Sequence, residues 1–261
     1  MVNIGFKLNS QRFDAWQQTP VHQRAGYLRA LTVLIEEAQA EILYLLTMEA
    51  GKTLPDALGE WREAIDLCRF YAQEAEKLQT SHELPHITGE HNHLSWAARG
   101  VFVCISPWNF PLAIFLGQIA AAIVTGNTVI AKPANQTSLI ASKIAQLLQQ
   151  TGLPEGVVNI IFARSSELGD YLFKHPHLAG VVFTGSTETA QHIQLALAQR
   201  RGAIIPFIAE TGGLNAMIAD SLGLTQSPNC YFMFYEEKAM TSSGFFNCSR
   251  IYESNNPCLS W

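Results

Sequence analysis

An α/β fold is predicted for this chain: a doubly wound parallel sheet preceded by packed N-terminal helices. Three features carry the prediction. The stretch Val101 to Pro133 reads as strand, helix, strand, because a short β-favouring run (Val101-Phe102-Val103-Cys104-Ile105) breaks at Ser106-Pro107-Trp108-Asn109-Phe110-Pro111. An apolar segment from Leu112 to Val124 follows, Gly126-Asn127 stops it, and Thr128 to Ala131 is a second strand ending at Lys132-Pro133. The same alternation continues downstream, and the residues before Leu78 carry apolar positions at helical spacing.

From Asp14 to Leu78, Tyr27, Leu28, Leu31, Leu34 and Ile35 recur three and four residues apart, as do Ile42, Leu45 and Leu46. Gly51 and Pro55 punctuate this region, and a third helix is expected over Asp56 to Lys77 with Trp61, Ile65, Cys68 and Tyr71 on one face. On that face Cys68 is a core residue rather than a nucleophile. Thr80 to His93 holds four His, but with no Cys or helical spacing it reads as a solvated hairpin or loop rather than a metal site. After the opening unit, a helix is expected over Thr137 to Gln150, a strand over Val157 to Phe162, and a short helix over Ser165 to His175. Then come a strand over Gly180 to Thr184, a Gly185-Ser186-Thr187 turn, a helix over Glu188 to Arg201, and a strand over Ala203 to Ala209 ending at Glu210-Thr211-Gly212-Gly213. Polar residues thus follow the carboxyl ends of the strands, where open parallel sheets bind ligands.

The 261 residues are 48% hydrophobic and 15% charged, enough for a substantial core and against disorder throughout. A net charge of −5 without a dense Lys/Arg stripe argues against nucleic acid as a partner. The start lacks a charged region followed by an apolar one, and the longest apolar run, Leu112 to Val124, contains Gln118 and is too short to span a membrane. Five Cys with no CxxC argue against a disulfide framework or a zinc site, so a reducing, cytoplasmic setting is expected.

The G-x-G-x-x-G phosphate fingerprint is absent. In its place Phe183-Thr184-Gly185-Ser186-Thr187 joins a strand to a helix, and such a turn either caps the helix or holds a pyrophosphate on its first amides. Four segments occur in the order and spacing of the aldehyde dehydrogenase superfamily: Pro107-Trp108-Asn109-Phe110-Pro111, Lys132-Pro133-Ala134-Asn135-Gln136-Thr137, Phe183-Thr184-Gly185-Ser186 and Glu210-Thr211-Gly212-Gly213. The resemblance extends from about Arg12 to Asp220, with Glu49-Ala50-Gly51-Lys52 and Glu63-Ala64-Ile65-Asp66 in the helical part. Cys104-Ile105-Ser106, Ile114-Phe115-Leu116-Gly117-Gln118 and the Glu-Thr-Gly-Gly form make it most similar to 1-pyrroline-5-carboxylate dehydrogenase modules of bifunctional proline-utilisation proteins.

That resemblance implies a Rossmann-like cofactor domain binding NAD and an aldehyde substrate, L-glutamate γ-semialdehyde, oxidised to glutamate in proline catabolism. It implies an oxyanion-hole role for Asn109 and a general-base role for Glu210. It implies that Lys132 holds the adenosine ribose, that Gly185 and Ser186 meet the pyrophosphate, and that Ser106, Trp108 and Asn135 complete the cofactor site. Asn135 stands where the family commonly has Glu, so one acceptor remains but the charge is lost. The implied organisation is a cofactor domain over residues 1–213, mainly helical over 1–95 and a βα sheet over 96–213. Residues 214–220 begin a second, catalytic domain, and the subunit-pairing strand of the homo-oligomeric family is not among the residues given. The family's nucleophilic Cys position falls on Gly244, and Cys230 and Cys248 lack the Gly-Gln-x-Cys setting. From about Ser221 neither periodicity persists, so residues 221–261 read as translation in a wrong frame or a disordered tail, and the chain as an inactive fragment or a non-catalytic nucleotide-binding remnant.

Overall fold

The structure is a computed structural model that describes residues 2–79, 82–85, 87–163 and 165–212. Gly213, the expected start of a second domain at 214–220, and the segment 221–261 with Cys230, Gly244 and Cys248 lie outside the described residues.

Four helices come first: α1 (Val2–Gln18), α2 (Val21–Glu37), α3 (Gln39–Ala50) and α4 (Leu54–Leu78). The sequence reading began the helical region at Asp14 and missed most of α1, which has no capping residue or acidic first turn to announce it. Its inward positions Phe6, Asn9 and Trp16 are nonetheless three to seven residues apart and fully buried, as one helix face requires. Helix α4 begins at Thr53, whose Oγ1 accepts from the Asp56 amide, with Pro55 in the first turn. A short antiparallel hairpin, β1 (His82–Leu84) with β2 (Asn92–Leu94), fills the four-His segment. Among the described residues no group of three His, Cys, Asp or Glu is placed to hold a metal ion, and no helix is long and apolar enough to cross a membrane.

The main sheet has five parallel strands in the order β5 (Val158–Ile160), β4 (Thr128–Lys132), β3 (Val101–Ile105), β6 (Leu178–Gly185), β7 (Phe207–Thr211). The chain moves outward from β3 through β4 to β5, then returns to lay β6 against the other side of β3. The strand order therefore reverses between β3 and β6, which opens a crevice at their carboxyl ends. Several boundaries differ from expectation: β6 starts at Leu178 rather than Gly180, the helix after it ends at Ala198 rather than Arg201, and both outer strands are shorter. Strand β7 starts at Phe207 rather than Ala203, because Pro206 has no N–H for the ladder and contributes only its carbonyl, which accepts from Val181 at 3.0 Å. Edge strand β5 is shorter than 157–162, although flanking bonds from the Val129 amide to the Val157 carbonyl and from the Ile161 amide to the Ala131 carbonyl prolong the pairing.

Alternating strand residues feed two cores, as a two-residue period dictates. On one face Phe102, Cys104, Val129 and Ala131 pack under α5 (Ala113–Val124) and α6 (Ser138–Gln150), and α2, α3 and α4 lie over those helices in the same core. On the other, Val101, Val103, Ile130, Val181 and Phe183 meet Phe6 of α1, Leu172 and Phe173 of α7 (Ser165–Lys174), and Ala190 and Ile193 of α8 (Thr187–Ala198). The helical region thus packs on the βα unit, as its apolar stripes predict. Side chains from α1 and α2 also satisfy the orphan carbonyls at the end of α5: Trp16 Nε1 donates to the Ile123 carbonyl at 3.0 Å and Arg24 Nε to that of Val124 at 2.8 Å.

Candidate functional site

The candidate site follows the carboxyl ends of β4, β3, β6 and β7. Register does much of the assembly. Ile105 lies opposite Lys132, and the Ser106 amide donates to the Lys132 carbonyl at 3.3 Å, which joins the loop after β3 to the end of β4. Gln118 on α5 bridges the neighbouring pair, donating through Nε2 to the Ile105 carbonyl and to Thr184 Oγ1, both at 3.2 Å. Thr184 in turn lies opposite Glu210. Asn109, Lys132, Ser186 and Glu210 therefore share one edge of the sheet, where the sequence reading put them. Glu210 is within the last turn of pairing of β7 rather than after it, which follows from the later start of that strand.

Each side chain has its own environment. Lys132 is 5% exposed, and its ammonium makes one described hydrogen bond, a 3.3 Å contact with the Pro133 carbonyl. Burial holds its pKa below the usual lysine value, and among the described residues no carboxylate compensates. A buried ammonium with unfilled donors suits an oxygen-rich ligand. Asn109 is half-buried on the loop between Ile105 and α5, and its buried Oδ1 has no hydrogen-bond partner among the described residues. Trp108 beside it is exposed, and Ser106 is buried at the strand end. Asn135 is exposed and opens a 3-10 turn, Asn135–Thr137, that leads into α6. Gly185 ends β6 under the ring of Phe183, where an added Cβ would lie 2.4 Å from Cζ and displace the ring. Ser186 is the N-cap of α8, its Oγ accepting from the Thr189 amide at 3.2 Å, so the capping role is realised at a helix start whose first amides lack intrahelical partners.

Alongside the crevice, a groove of about 480 Å³ runs between α4, α5 and the β6–β7 face, bordered by Glu63, Gln118, Thr184 and Glu210. Glu63 is a residue the sequence reading quoted but gave no role. It sits on the rim, and partial burial, Glu60 and Glu210 together hold its pKa above the ordinary carboxylate range. A second hollow, about 590 Å³, opens at the amino-end edge between Ser10, Arg99 and Leu178, away from every expected site residue.

The aldehyde dehydrogenase family model matches residues 5–222. The chain belongs to the aldehyde dehydrogenase family. It is 44% identical over 214 residues to the bifunctional protein PutA of Salmonella typhimurium, an alignment covering 81% of this chain and 15% of that protein. It is 35% identical to 1-pyrroline-5-carboxylate dehydrogenase of Staphylococcus aureus over 84% of this chain and 43% of that enzyme. Among solved structures, a Bradyrhizobium japonicum proline utilization A variant superposes with a TM-score of 0.80 at 49% identity, over 84% of this chain and 22% of the other. A Thermus 1-pyrroline-5-carboxylate dehydrogenase with bound NAD gives 0.78 at 33% identity, over 81% and 42%. The chain therefore spans less than half the length of these relatives.

Within this aldehyde dehydrogenase chain, the residues the sequence reading missed are acids of the helical layer that cap the helices of the sheet. Glu49 accepts from the Leu139 and Ile140 amides at 2.8 and 2.9 Å, at the start of α6. Glu60 accepts from the Leu112 and Ala113 amides at 2.8 and 3.1 Å, at the start of α5. Their signal in the sequence was only an acidic residue on a helix, with nothing to tell which distant amide it meets.

Proposed function

We propose that this chain is the cofactor-binding portion of an NAD-dependent dehydrogenase that oxidises L-glutamate γ-semialdehyde, the open form of 1-pyrroline-5-carboxylate, to glutamate in proline catabolism. The observation that carries the proposal is the buried, incompletely bonded ammonium of Lys132 at the switch crevice. It is supported by the names of the relatives and by the Thermus neighbour with bound NAD. When bound, NAD supplies a hydride acceptor. Lys132 donates to the adenosine ribose hydroxyls, and Ser186 with the first amides of α8 meets the pyrophosphate. Ser106 and Trp108 line the nicotinamide side, and Asn135 offers a neutral acceptor near the ribose. In the parent reaction, where a Cys thiolate adds to the aldehyde carbon, Asn109 Nδ2 would donate to the oxygen that gains negative charge and Glu210 would take a proton from the water that hydrolyses the resulting thioester; in this chain that Cys position holds Gly244.

A second reading, a nucleotide-binding remnant without turnover, is favoured by Gly244 at the family's nucleophile position. Covalent catalysis requires a thiolate held against the aldehyde carbon. The discriminating assay is NADH formation from L-glutamate γ-semialdehyde by the full chain beside Cys230→Ala and Cys248→Ala. No turnover above background is expected. Turnover abolished by one substitution would identify a nucleophile and reject the remnant reading.

A further inference from the structure

We propose that Lys52 and Glu60, an ion pair supplied by the helical layer, are positioning residues that set the loop bearing Asn109; the inference rests on the oxyanion role proposed for that asparagine. The loop cannot hold itself. Pro107 and Pro111 remove two of its amide donors, and the Oδ1 of Asn109 has no partner among the described residues to fix the amide plane. Its near end is tied to β4 by the Ser106 amide, and the rest of its geometry comes from the residues that grip its far end.

Two grips are present, one on each side of Pro111. The Lys52 ammonium lies 4.1 Å from the ring centroid of Phe110, the residue after Asn109. Glu60 Oε1 receives both amides of Leu112 and Ala113, which fixes where the loop becomes helix. The two side chains are themselves joined, Nζ to Oε2 at 2.9 Å, with relative exposures of 2% and 0%. Glu60 thus divides its carboxylate, Oε2 facing the Lys52 ammonium and Oε1 taking both amides at the far end of the loop. Lys52 is anchored in turn. Gly51 adopts the left-handed conformation at φ 67° as the C-cap of α3, the Lys52 amide donates to the Leu46 carbonyl, and Thr53 starts α4. A buried ion pair is a poor way to gain stability, since apolar residues of similar size serve as well. A pair that grips the chain on both sides of Pro111 is suited instead to fixing one loop geometry.

The test uses the full chain labelled with 5-fluorotryptophan, with the Trp108 resonance assigned by Trp108→Phe, and the variants Lys52→Met, Lys52→Arg and Glu60→Gln. The inference expects Lys52→Met and Glu60→Gln to shift or broaden the Trp108 signal while the signals of Trp16 and Trp61 stay in place, and Lys52→Arg to restore the native signal. It also expects NAD affinity to fall about tenfold in the first two and to recover in the third. An unmoved Trp108 in folded variants would overturn it. Equal movement of all tryptophans, or failure to fold without rescue by Lys52→Arg, would show a purely structural pair and overturn it as well. If the native chain binds no NAD, the proposed function fails, while the fluorine signals still decide this inference by themselves.

Discussion

Lys132 lowers the stability of the chain that carries it, since its charge is withdrawn from water and meets one long carbonyl contact. Burial lowers its folded-state pKa below the unfolded value of 10.5, so between those two values the unfolded chain binds more protons and this residue's contribution to stability rises with pH. Lys132→Met should therefore stabilise the chain at pH 7 by about 1 kcal/mol, and the gain should shrink toward pH 10. Urea midpoints of both proteins at the two pH values check this, and a destabilised variant at pH 7 would show that the ammonium has better partners than its environment suggests. The buried thiols make a second residue-level case. Cys68 and Cys104 have pKa values pushed up to about 12 by burial, so both should resist iodoacetamide at pH 8 in the native chain and react fully in urea. Mass spectrometry of the modified peptides reads the outcome, and native-state labelling of either would mean that its core opens.

At the scale of elements, the helical layer holds the ends of the helices that carry the site. Glu49 receives two amides of α6, and Glu49→Ala should cost about 1–2 kcal/mol, with Glu49→Gln retaining part of it. Arg24 is nearly fully buried and binds the Val124, Gln17 and Thr19 carbonyls and Gln79 Oε1, so Arg24→Ala should cost about 3–5 kcal/mol by leaving those acceptors unpaired. Urea denaturation measures both, and values below about 0.5 kcal/mol would mean that water replaces these donors. What the sequence revealed follows the same division. The strands expected over 101–105 and 128–131 and the helix ending at Val124 were legible because their periodicity and their Gly and Pro boundaries are local. The start of β7 was misplaced because it depends on the missing N–H of Pro206, and most of α1 was missed for want of a cap. The reach of Glu49, Glu60 and Arg24 was not legible at all, since each bridges 50 or more residues of chain to its partner. Asn109, Lys132, Ser186 and Glu210, whose roles the family resemblance implies, each follow or end a strand, a placement that could be read locally.

For the whole molecule, the shared core beneath α2, α3 and α4 implies that helices and sheet lose structure together. Far-ultraviolet dichroism and tryptophan fluorescence should report coincident urea transitions, and a helical transition separated from the sheet would argue for two independent units. The crevice at the reversal of strand order is the proposed seat of NAD. Calorimetric titration of NAD into the full chain and into Lys132→Met tests it most directly. Weak, saturable binding to the native chain and a loss of about tenfold or more in the variant are expected, even with the variant expected to be the more stable protein. Absence of saturable binding, or equal affinity for the two proteins, would contradict it.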